Sequence, residues 1–225
     1  MTTFGPPMRR EHFLFDPRYT PLNHGSYGSF PRLVRDYQRE VQDSIEARSD
    51  AFIRLTIPKL LEDSRAAVAP LLGAAVDEVV FVPNATTAVN VVLRTLVFAP
   101  RDVILYFSTA YKACAKTILS VCETTPAEPM RIDIKFPLED DELVAIFRRT
   151  VEKVNDSGRR ARIAMFDTVV SFPGVRMPWE SLIAACRELD VLSLIDGAHG
   201  VGHIDLSHLG ATGPDFFASN CYKLV

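Results

Sequence analysis

From Val79 onward the chain is a regular alternation of short apolar runs with longer stretches of helical period. The runs are VVFV (79–82), VILYF (103–107), MRIDI (130–134), RIAMF (162–166) and VLSLI (191–195), with FFAS (216–219) as a sixth candidate. Runs this short and this apolar belong to strands buried on both faces, which is the habit of parallel sheets. The stretches 86–98, 112–122, 140–154 and 179–189 between them have room for crossover helices. Together they predict a three-layer α/β domain built on a mostly parallel sheet. Upstream, Pro31 opens a helix in which Leu33, Tyr37, Val41 and Ile45 recur every four residues. A second helix is expected from Pro58, kinked by Pro70 and stopped by Gly73. Residues 1–30 read as a loop-like opening segment and 31–225 as one domain.

Composition removes several classes of function. With 48% hydrophobic and 24% charged residues the chain is an ordinary globular one. A net charge of -3 leaves no electrostatic footprint for nucleic acid or an anionic membrane. The longest apolar runs are too short to span a bilayer, and the first residues lack the apolar stretch of a signal peptide. Cys114, Cys122, Cys186 and Cys221 are widely spaced and form no CxxC pair. That spacing argues against a zinc ribbon or disulfide scaffold and for a reducing compartment, the cytoplasm. Neither a dinucleotide fingerprint nor a phosphate-binding P-loop is present.

In a parallel sheet ligands sit beyond the carboxyl ends of the strands, so the residues just after each run are the ones to examine. After VVFV come Asn84, Ala85, Thr86 and Thr87, a helix start whose free N–H groups suit a phosphate; taken alone, a plain helix cap accounts for them. After VILYF comes Tyr111, a ring able to stack on a flat heterocycle or simply to pack. After VLSLI comes Asp196-Gly197-Ala198-His199-Gly200. A carboxylate beside a buried strand is costly unless used or paired. Asp196 could bind a metal, act as a base, or face a protonated ring nitrogen. His199, His203 and His208 invite a metal reading, but the glycines among them deny a shared helical face. Lys223 follows the last apolar run and gains interest only from the Asp196 loop upstream.

An Asp–Gly–Ala–His loop after a strand, then a short strand and a lysine, resembles the cofactor site of class V aminotransferases. NHGSYG (23–28), VVFVPNATTAVN (79–90) and SLIDGAHGVGHIDLSHLGATGPDFFASNCYK (193–223) extend the resemblance to the isopenicillin N epimerase-like and hercynylcysteine sulfoxide lyase-like branch. The resemblance covers nearly all of 20–223. It implies a pyridoxal 5'-phosphate (PLP) enzyme with the large domain of fold type I. Lys223 would hold the cofactor covalently, and Asp196 would pair with the ring nitrogen. His199 would lie near the ring 3′-oxygen and Tyr111 on the ring face. Ala85, Thr86 and Asn220 would hold the phosphate, and Asn23 and His24 would belong to a substrate loop. In the branch the lysine motif reads Asn-Cys-His-Lys-Trp. Here it is Asn220-Cys221-Tyr222-Lys223-Leu224, so the resemblance implies that Tyr222 would face the phosphate without the histidine's positive charge.

Family members continue well beyond the point where this sequence stops. The large domain is therefore expected to be incomplete, with the small C-terminal domain absent. The resemblance further implies a small amino-acid-type substrate and a homodimer. Lys223 and Asp196 serve lysis, epimerisation and transamination alike. C–S lysis of a cysteine-derived substrate is the favoured expectation, because FDTVVSFPGVRMPWE (166–180) is closer to the lyase members. Amino-acid epimerase and aminotransferase are the alternatives, and a non-catalytic truncated paralogue is the rival from another class.

Overall fold

In a computed structural model, which describes residues 4–223, the chain opens with two short helices, α1 (Pro6–His12) and α2 (His24–Tyr27). α3 (Arg32–Ala47) starts where expected, with Pro31 as its N-cap, and none of its residues is buried. The next helical stretch begins earlier than Pro58 suggests. It runs through α4 (Ser49–Ala51), a π-turn at Phe52–Thr56, α5 (Ile57–Val68) and a 3-10 turn at Ala69–Leu72. Pro58 has no N–H to give the preceding turn, and the wider π-turn before it absorbs that loss, with Ile57 N bonding to Phe52 O. Pro70 converts the last turn to 3-10 geometry, and Gly73, at φ 56, ends it.

One expected strand is absent. Residues 79–82 pair with no strand among those described, and Val80 and Phe81 are exposed. Four apolar residues are a strand only when a neighbour offers N–H and C=O groups along their length.

Beyond Pro83 the alternation holds. α6 (Ala85–Thr95), β1 (Asp102–Phe107), α7 (Lys112–Thr124), β2 (Glu128–Ile132), α8 (Asp140–Asp156), β3 (Arg160–Asp167), α9 (Trp179–Glu188), β4 (Leu192–Asp196), α10 (Leu209–Thr212) and β5 (Phe216–Ala218) follow in order, closed by a 3-10 turn at Cys221–Lys223. The five strands form one sheet in the order β2-β1-β3-β4-β5, and every neighbouring pair is parallel.

The core lies in two slabs, one on each face. Val103, Leu105 and Phe107 of β1 point to α8 and α9, where Phe147, Trp179 and Leu182 are fully buried. Ile104 and Tyr106 point the other way, to Val89 and Leu93 of α6 and Ile118 of α7. A register shift between Val103 and Ile104 against β3 puts Ala161 and Ala164 on the first face with Ile163 on the second. Because all strands run the same way, their carboxyl ends share one rim. The connections turn outward in opposite directions on either side of the β1–β3 pair, which is where ligands gather in such sheets.

Candidate functional site

β3 and β4 each end in an aspartate, and Asp167 and Asp196 are register partners, 4% and 3% exposed. Asp196 Oδ1 accepts a hydrogen bond from Ala198 N at 3.0 Å, and its Oδ2 accepts one from Cys114 Sγ of α7 at 3.5 Å. Gly197 N continues the β4–β5 pairing by donating to Ala218 O at 2.6 Å, and Ser219 Oγ donates to Gly197 O at 2.6 Å. These bonds carry the chain from β5 into the turn that ends at Lys223. There Lys223 Nζ lies 3.4 Å from His199 Nε2, and His203 Nε2 lies 3.3 Å from Lys223 O.

Charge and burial act together on this group. Burial lowers the Lys223 amine below the usual lysine range, while the Asp196 charge opposes the shift. Burial also lowers His199, and the nearby Lys223 charge adds to it. Asp167 moves the opposite way: burial, then the Asp196 charge, raises its carboxyl well above the ordinary value.

The start of α6 is stapled to the lysine turn. Asn84 Oδ1 caps the helix by accepting from Thr87 N at 2.8 Å, and Asn220 Oδ1 accepts from Ala85 N at 2.9 Å. The Ala85 N–H, expected to be open to a phosphate, is thus already donated to Asn220. Thr86 is half-buried beside it and its side chain meets Cys114. Tyr111 stands at the N-terminus of α7 and is 50% exposed. Tyr222 is 55% exposed and makes no hydrogen bond among the described residues.

The N-terminal segment closes one side. α2 packs on the turn at Cys221–Lys223, and a Cβ added to Gly25 would stand 3.8 Å from His199 Nδ1. Between them is a cleft of about 430 Å³, lined by Asn23, Ser26, Ser171, His199 and His203 among others. Asn23 therefore reaches the cleft. His24 turns instead toward Phe13 and Phe15, with ring centroids 6.0 and 6.2 Å away, and its buried Nε2 has no partner.

Sequence reasoning brought Lys223, Asp196, His199, Asn220, Ala85 and Thr86 to one rim, and the structure gathers them there. It passed over Asp167 and Cys114. Asp167 was within reach of the strand-tip rule; Cys114 carries no sequence signal that separates it from a core residue of α7. No group of three or more His, Cys, Asp or Glu among the described residues is placed to hold a metal ion, and no described helix is long and apolar enough to cross a membrane.

Such a rim offers a half-buried amine, a buried carboxylate, an imidazole and a helix start, and of these the imidazole, His199, lines the cleft. The chain as a whole resembles known proteins. An L-cysteine desulfhydrase-like protein of Epichloe uncinata, lolT1, is 38% identical over 220 residues, covering 98% of this chain and 48% of the relative. The hercynylcysteine sulfoxide lyase of Schizosaccharomyces pombe is 32% identical, over 95% of this chain and 53% of its own length. Among solved structures, the cystine C–S lyase C-DES, in a form with glycine covalently linked to its PLP cofactor, superposes with a TM-score of 0.80 at 18% identity. That match covers 90% of this chain and 52% of the other. The chain spans about half the length of the relatives it matches. The aminotransferase class-V family profile matches residues 32–225, and the chain belongs to that family.

Proposed function

We propose that this chain is the cofactor-holding part of a PLP-dependent C–S lyase that acts on a cysteine-derived amino acid. The observation that carries the reading is the meeting of Lys223, His199 and Asp196 at neighbouring strand tips, with Lys223 Nζ 3.4 Å from His199 Nε2 and the Asp196 charge acting on both. The names of the two relatives, a desulfhydrase-like protein and a sulfoxide lyase, support lysis over epimerisation or transamination.

The residues fit the group. PLP needs an amine, a carboxylate for its ring nitrogen, and donors for its phosphate. Lys223, Asp196 and the start of α6 are the matching parts. The hydroxyls of Thr109 after β1 and Thr168 after β3 are buried at the same rim with no partner, as expected of groups that await a polar ligand. When bound, PLP supplies an electron sink for negative charge at the substrate α-carbon.

The protein's own contributions follow from the geometry. Lys223 Nζ, freed once the substrate's own amine takes its place and made more often neutral by burial, takes the proton from the α-carbon. The C–S bond then breaks, and sulfur leaves with the bonding pair. His199, kept neutral by the same burial, is a hydrogen-bond partner for Lys223 that does not compete with it for positive charge. Asp196 holds its place through the Ala198 N–H and the Cys114 thiol. Asn23, Ser26 and Ser171 line the side from which a small amino acid would enter. Four cysteines free of disulfides suit a cytoplasmic setting, and the exposed apolar residues of α3 suit a homodimer.

The test is direct. PLP added to the chain should give a visible absorbance band. Borohydride should then fix the cofactor to the peptide that contains residue 223, and Lys223→Ala should abolish both. The longer protein that contains this chain should release a sulfur fragment from a cysteine-derived substrate. Inversion of the substrate's α-carbon with no sulfur release would replace the lyase reading by the epimerase one.

A further inference from the structure

Two carboxyl groups lie side by side on the floor of the rim. Asp167 and Asp196 end neighbouring strands in register, both on the face covered by α6 and α7, and both are almost wholly buried. Two carboxylates in such a place cannot both ionise cheaply, so one keeps a proton. The donors around them are unevenly shared. Asp196 receives Ala198 N–H on Oδ1 and faces Cys114 Sγ from Oδ2. Among the described residues, no other residue donates to the Asp167 side chain.

The remaining groups that face the pair are few. Lys223 approaches from the closing turn and His199 from the loop after β4, and both feel the Asp196 charge. From α6 comes the side chain of Thr86, which meets Cys114, and from α7 Cys114 itself, 1% exposed. Burial, reinforced by the Asp196 charge, holds the Cys114 thiol in its protonated form, so it has a hydrogen to give.

We infer that Cys114 is a positioning residue: its thiol donates to Asp196 Oδ2 and selects Asp196, rather than Asp167, as the carboxylate that stays charged. Asp167 then keeps the proton. The value of this selection rests on the PLP reading above, since Asp196 is the residue assigned there to the ring nitrogen. The hydrogen bond and the proton's position do not depend on that reading.

Infrared spectroscopy of the chain without cofactor tests the inference. The difference between wild type and Cys114→Ala isolates the Cys114 S–H stretch. It should lie below those of the other cysteines, and Asp196→Asn should shift it. A stretch that Asp196→Asn leaves in place overturns the inference. The carbonyl stretch of a protonated carboxyl should vanish in Asp167→Asn; loss of that band in Asp196→Asn alone would show the selection reversed. With PLP added, Cys114→Ala should weaken binding by about fivefold, the worth of one ordinary hydrogen bond. It should also move the pH midpoint of the visible band. Cys114→Ser, which restores a donor, should recover both, and a serine variant indistinguishable from alanine counts against the donor role. Should PLP fail to bind wild type, the functional reading falls while the infrared result still decides the inference.

Discussion

A lysine amine attacks only when it is neutral, and Lys223 owes its neutral fraction to burial acting against the Asp196 carboxylate. A lowered pKa means that the free amine appears at lower pH than for a solvated lysine. Borohydride-trapped labelling of Lys223 by PLP should therefore begin at a pH below that of a lysine side chain free in water. Asp196 raises the lysine's pKa, so Asp196→Asn should move that onset lower still while weakening retention of the cofactor. A titration in which Lys223 labels at the same pH as a free lysine side chain would contradict the role of burial. Space is as tight as charge at this rim. A Cβ on Gly197 would run into the Phe217 ring and stand 3.1 Å from Ala218 O. Gly197→Ala should cost about 1–3 kcal/mol in stability, read as a lower midpoint in a denaturant titration.

Helices differ sharply in what they contribute. α3 buries nothing, although its pattern is strongly amphipathic, whereas α8 drives Leu143, Phe147 and Val151 into the slab beneath the sheet. Leu33→Ala should change stability by no more than about 0.5 kcal/mol, and Phe147→Ala should cost about 3–5 kcal/mol. Equal effects in the two variants would mean that α3 is covered in solution. Periodicity made these helices legible, since a four-residue recurrence announces a face whether or not anything covers it. It could not tell which faces find a partner. The same limit explains 79–82: four apolar residues look like a strand locally, but pairing is a property of the neighbour. Five of the six apolar runs did find neighbours, and their ends moved by no more than a few residues. At the site, Lys223 and Asp196 were legible because strand tips and a motif named them. Cys114 was not, because nothing local distinguishes a thiol under a carboxylate from one in a core. The pairing of Asn220 with Ala85 was hidden for a related reason: it joins residues that no spacing rule connects.

Across the described molecule, residues 4–31 are an attachment and not a part of either slab. It lies over the turn that holds Lys223 and contributes Asn23, Gly25 and Ser26 to the cleft. Removing residues 4–30 should leave a cooperative thermal transition for the sheet and its helices. It should also open the Lys223 turn to solvent, seen as faster hydrogen exchange at 221–223. Loss of the cooperative transition would show that the N-terminal segment is part of the folding unit.

The bond from Ala85 N to Asn220 Oδ1 joins residues 135 apart in sequence. Contacts of such reach form late, after the intervening crossovers have shortened the path between their ends. On a ribosome the helix start at Ala85 emerges long before the asparagine that completes it. The start of α6 is therefore completed by a residue that follows β1 through β4 in the chain, on the same turn that carries Lys223.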